Sequence, residues 1–64
     1  MTPREVIRIL EEDGWRQVRS KGSHRQFRHP NKPGLVTIAM HGNRDLKIRD
    51  LVSIERQSGL KLRR

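Results

Sequence analysis

The stretch WRQVRSKGSHRQFRH, Trp15 to His29, decides the fold, because two short strand-like runs flank a lysine–glycine pair. Trp15 to Ser20 and Ser23 to His29 read as strands, and Lys21-Gly22 as the turn that joins them into an antiparallel hairpin. Phe27 is the large apolar side chain of the second strand and belongs in a core. Alternation then puts Ser23 and Arg25 on the same side as Phe27, and His24, Gln26 and Arg28 on the other.

Downstream, Pro30-Asn31-Lys32-Pro33-Gly34 is turn chemistry, and Leu35 to Met40 is the most β-rich segment of the chain, a third strand ended by His41-Gly42-Asn43. Upstream, Thr2-Pro3-Arg4-Glu5 opens a helix: Thr2 as N-cap, Pro3 where its missing N–H costs nothing, and Glu5 closing a capping box. Val6, Ile7, Ile9 and Leu10 recur at helical spacing, and Gly14 can take the left-handed conformation that stops the helix near residue 13. In the last third, Asp50 is the expected cap of a second helix whose Leu51 and Ile54 share a face, with Gly59-Leu60 as its stop. The basic tail from Lys61 to Arg64 is expected to fray. The prediction is one α+β domain over residues 1–64. Its order is αβββα, a two-layer sandwich with both helices on one face of a three-stranded meander. Trp15, Phe27, Val36, Ile38 and Met40 are the core candidates beside the helical residues.

Fifteen lysines and arginines against seven acids give a net charge of +8. Glu5, Glu11, Glu12 and Asp13 gather near the start, and Arg16 to Arg44 holds seven basic residues and no acid. Such a surface attracts polyanions through counterion release, with nucleic acid the first partner to consider; a merely solubilising basic surface is the plainer alternative. The absence of cysteine excludes disulfides and thiolate metal sites and agrees with a reducing cytoplasm. No apolar run is long enough for a membrane span, and the first residues lack the pattern of a signal peptide. The expected location is the cytoplasm, with no membrane contact.

By the parity of the second strand, His24 faces the uncovered side of the sheet, next to Arg28 and near Lys21. Imidazole exchanges a proton near neutral pH, so such a residue can take the proton of a ribose 2′-OH or give one to a leaving 5′-oxygen, while neighbouring cations stabilise charge on the phosphate oxygens. An ordinary exposed histidine is the alternative. A metal site is disfavoured, since His24 and His29 face opposite sides, no close carboxylate accompanies them, and the excess positive charge repels a cation. His41 reads as a turn residue. Ser23 faces away from His24 and lacks a base for nucleophilic work. No helix-turn-helix pair is visible for DNA recognition.

The N-terminal helix, DGWRQVRSKGSHRQFRHP, GLVTIAMH and LVSIERQSGL together resemble the HicA toxins of type II toxin–antitoxin systems over almost the whole chain. The most specific part is Gly14-Trp15 followed by Lys21-Gly22-Ser23-His24 and Phe27. The resemblance implies a double-stranded-RNA-binding-domain-like fold and an endoribonuclease that cuts mRNA, with His24 as its catalytic residue, no cofactor, and a HicB-type antitoxin as partner. Lys21, Gly22, Ser23, Arg25 and Arg28 are then the expected RNA-binding residues, Arg25 less favourably placed because parity turns it toward the Phe27 side. A non-catalytic RNA-binding module of the same fold is the alternative. The chain departs from the family at Ala39-Met40, where a proline is common, at Arg49-Asp50, where Gly-Thr is common, and at Glu55, where many relatives carry an apolar residue.

Overall fold

The computed structural model describes residues 1–42 and 44–63. Its elements run α1 (Pro3–Asp13), β1 (Arg16–Lys21), β2 (His24–Arg28), β3 (Val36–Ala39) and α2 (Ile48–Ser58), the αβββα order expected. The Thr2 hydroxyl accepts from the Glu5 N–H, and the Glu5 carboxylate accepts from the Thr2 N–H, completing the capping box. The Thr2 backbone N–H first, and the Thr2 hydroxyl donating to the same carboxylate second, hold the Glu5 carboxyl below the usual glutamate range. Gly14, at φ 107°, caps the other end.

The three strands form an antiparallel sheet in the order β1-β2-β3. Phe27 pairs with Val36 and Arg25 with Ile38, so these four share one face, on which Phe27, Val36 and Ile38 are buried. Val6 and Leu10 from α1, Leu51 and Ile54 from α2, Trp15 and Leu46 complete a single apolar cluster. Each such large side chain contributes roughly 1.5–3 kcal/mol by leaving water, which for so short a chain makes each one count. Met40 is only half-buried against the cluster.

Trp15 and Lys21 are an even number of residues apart, so a regular strand would turn them to the same face. A bulge prevents this. Gln17 pairs with Phe27 and Arg19 with Gln26, leaving Val18 as the extra residue. Trp15 therefore enters the core while Arg19 and Lys21 stand on the other face, and Val18 is left 55% exposed.

Three details differ from the sequence reading. The hairpin turn is Gly22-Ser23, with Lys21 still in β1 and His24 the first residue of β2; the positive φ of Gly22 (58°) at the first turn position suits a II′ turn. Helix α2 starts at Ile48, two residues before Asp50, with Lys47 as an N-cap that makes no side-chain bond. Asp50 instead lies in the first turn, where its charge still suits the helix dipole. The tail is hydrogen-bonded as far as Arg63: Glu55 accepts from the N–H groups of Leu62 and Arg63 at 2.7 and 2.9 Å and from Arg63 Nε at 3.0 Å. These bonds hold the Glu55 carboxyl below the usual glutamate range, the Arg63 N–H first. Asn43 and Arg64, parts of the expected strand break and tail, lie outside the described residues.

Helix α2 packs on the core and also follows the outer edge of β3, where Gln57 Oε1 accepts the Thr37 N–H at 3.1 Å. That edge is thereby covered. The β1 edge is exposed along its whole length and carries Arg16, Arg19 and Lys21, charges that discourage pairing with another strand.

Candidate nucleic-acid interface

His24 opens β2 opposite Lys21 of β1 and Ala39 of β3. Its side chain stands on the face that the helices leave uncovered. There it lines a shallow depression of about 270 Å³ with Arg19, Lys21, Gln26 and Thr37. The far end of the same face carries Arg28, beside Val18, Arg19, Gln26 and Leu35. A histidine is thus flanked by cations spaced along an open sheet, a surface that can lie against a phosphate backbone. Gln26 Nε2 reaches Thr37 Oγ1 at 3.5 Å across the face.

Of the residues singled out in the sequence, Lys21 and His24 are cross-strand partners lining one depression, and Arg28 lies on the same face farther along. Gly22 and Ser23 form the turn that carries His24, and the Ser23 carbonyl accepts the Met40 N–H at 2.6 Å, tying the turn to the end of β3. Arg25 is not brought to His24; its partners Ser20 and Ile38 put it on the Phe27 side, where it is exposed. Sequence reasoning missed Arg19, which lies two residues before Lys21 and shares its face. Strand alternation from Lys21 would have found it.

His29 has a different environment. Its Nδ1 accepts the Asn31 N–H at 3.0 Å, which puts the ring proton on Nε2, and Nε2 donates to the Asp13 carbonyl at 2.6 Å. Trp15 meets its ring edge-on, centroids 5.3 Å apart. The Asp13 carboxylate accepts from Lys32 Nζ at 2.6 Å and from Trp15 Nε1 at 3.1 Å. Its carboxyl is held below the usual aspartate range, first by the Lys32 hydrogen bond. Among the described residues no three His, Cys, Asp or Glu side chains gather where they could hold a metal ion. No described helix is long and apolar enough to cross a membrane.

A three-stranded meander with a helix at each end and a basic open face defines a small α+β module of double-stranded-RNA-binding-domain-like order. The family described as the HicA toxin of bacterial toxin–antitoxin systems matches residues 3–60 of the 64, and the chain belongs to that family. It is the toxin of such a system, whose counterpart is an antitoxin. No curated protein matches the chain.

Proposed function

We propose that this toxin is an endoribonuclease that cuts mRNA in the cytoplasm without a metal ion, that His24 is its general acid/base, and that a HicB-type antitoxin silences it by covering the open sheet face. The observation that carries this reading is the exposure of His24 opposite Lys21, in a depression shared with Arg19. His24 takes the proton of a ribose 2′-OH; the 2′-oxygen forms a bond to the adjacent phosphorus as the bond to the 5′-oxygen breaks, and the imidazolium returns the proton to the leaving 5′-oxygen, directly or through water. The products are a cyclic phosphate and a free 5′-OH. Lys21 and Arg19 stabilise the charge on the non-bridging oxygens. Arg28 holds the backbone farther along, and the Gly22-Ser23 turn presents the imidazole. Arg25, on the reverse side, adds only to long-range attraction. A net charge of +8 also suits an acidic antitoxin surface.

The test is incubation of the protein and its His24→Ala variant with a long single-stranded RNA in excess EDTA, read on a denaturing gel. Cutting by the wild type alone is expected. Intact RNA in both lanes, with both proteins folded and bound to it, would leave a non-catalytic RNA-binding module.

A further inference from the structure

On the side of His24 away from β1, a groove of about 240 Å³ runs between the open sheet face and α2. It is smaller than the roughly 300–1,000 Å³ of sites for drug-sized ligands, a size suited to one flat group. Its lining is apolar at Ala39, Leu46 and Ile54 and polar at Thr37, Asp50 and Ser53. Gln57, also at its edge, sets the hydrogen-bond sense of the others. Its Oε1 accepts from the Thr37 backbone, so its Nε2 is the donor to Ser53 Oγ at 3.0 Å. Ser53 Oγ already accepts, which leaves its O–H to donate. Thr37 Oγ1 accepts from Gln26 in the same way, and its proton is also left over. The Asp50 carboxylate makes neither a side-chain hydrogen bond nor an ion pair among the described residues.

The groove thus offers hydroxyl donors and a two-oxygen acceptor beside a face built for polyanions. A carboxylate repels a phosphate, so the group that fills this groove must bring N–H donors. Stacking on tryptophan or phenylalanine, common for single-stranded RNA, is closed to this chain, because Trp15 and Phe27 are 0% and 1% exposed. Stacking on an imidazole or a guanidinium holds any base alike, so the choice among bases falls to reading the edge. Guanine alone presents two parallel N–H donors, N1–H and N2–H, next to a carbonyl acceptor, O6, on one edge. Adenine and cytosine offer a single amine there, and uracil a single N–H.

We propose that this groove is a guanine subsite for the nucleotide next to the phosphate at His24, with Asp50 accepting from N1–H and N2–H and the Ser53 or Thr37 hydroxyl donating to O6. The inference rests on the reading of the open face as the RNA site and adds to it the base that the site prefers. Asp50 is then a specificity residue, not a catalytic one.

The test uses the full chain carrying His24→Ala, which keeps the RNA whole, and short oligouridines with one central guanosine, adenosine, cytidine or inosine, titrated by fluorescence anisotropy at fixed salt. The guanosine oligomer should bind on the order of tenfold more tightly than the all-uridine one, as for a good bidentate base contact. Inosine, which lacks the N2 amine, should lose most of that gain, and adding Asp50→Asn should make all the oligomers bind alike. Equal affinities in the Asp50 protein, or a guanosine preference that survives Asp50→Asn, would overturn the subsite. Wild-type cleavage of the same oligomers separates the two readings. Guanosine-selective binding without cutting would sink the nuclease and keep the subsite, whereas cutting with no base preference would do the reverse.

Discussion

His24 opens β2 and His29 follows its last residue, and the two share nothing but the imidazole. His29 has both ring nitrogens engaged, by Asn31 and Asp13, and a side chain only 9% exposed. His24 is exposed beside Lys21 and Arg19. The residue type therefore says little, and the face of the sheet says almost everything. A proton-transfer group needs access to solvent and substrate, whereas a structural histidine needs every polar atom satisfied. The same division separates two aspartates. Asp13 sits in a net of donors from Lys32 and Trp15, and Asp50 has no such partners among the described residues.

The largest effect should come from replacing the two histidines in turn. For His24→Ala, RNA cleavage should fall roughly 10²- to 10⁴-fold, the usual worth of general acid–base catalysis, with no change in thermal midpoint. In His29→Ala the Asn31 N–H and the Asp13 carbonyl lose their partner. Stability should drop by about 1–3 kcal/mol while the rate per folded molecule stays put. Calorimetry and a cleavage assay on both variants check this, and a stability loss in His24→Ala would break the contrast.

Next in size is Gly14→Ala. Gly14 has φ 107°, where a side chain is strained, and an added Cβ would come within 2.8 Å of His29 Nε2. About 2 kcal/mol of destabilisation is expected, lowering the midpoint by roughly 8–16 °C in a domain of this size. In a His29→Ala background Gly14→Ala should cost less than it does in the wild type, since the clash is gone and only the backbone strain stays. Equal costs in the two backgrounds would mean that the ring does not press on Gly14.

The inner half of this comparison was largely legible in the sequence and the outer half less so. Thr2, Pro3, Glu5 and Gly14 announce α1 because caps are local chemistry, and Phe27 fixes the parity that exposes His24. Features that depend on distant partners left no local mark. Lys47 carries no capping side chain, so the start of α2 is set by packing of Leu51 and Ile54, and Asp50 looked the better cap. Glu55 holds a tail seven and eight residues away. The groove beside His24 exists because α2 follows the β3 edge, which no periodicity encodes, and so Ser53, Gln57 and the groove-facing role of Asp50 were missed.

Acid should weaken the His29 side. The Asp13 carboxyl is held below the usual aspartate range in the folded chain, so the unfolded chain binds a proton first as the pH falls. The stability that Asp13 contributes is complete above the ordinary aspartate range and is lost as the pH drops through its lower folded value. Thermal melts of Asp13→Asn from neutral into strongly acid buffer should show a lower neutral midpoint and a shallower acid slope. A slope remains, because Glu5 and Glu55 are held low by their own hydrogen bonds. An unchanged slope would mean that the Lys32 contact is not kept in solution.

The smallest effect is the sharpest test of how the two faces are made. In a regular ladder Val18 would oppose Phe27 and lie in the core, and Trp15 would be turned to the side of Lys21. The bulge pushes Val18 out and lets Trp15 in. Val18→Thr should therefore change stability by no more than about 0.5 kcal/mol, the range of ordinary surface substitutions. Val36→Thr, the same exchange at a position with 0% exposure opposite Phe27, buries a hydroxyl and should cost more, about 1–3 kcal/mol. Equal losses at the two sites would place Val18 in the core, restore the regular register, and put Trp15 on the face that carries His24.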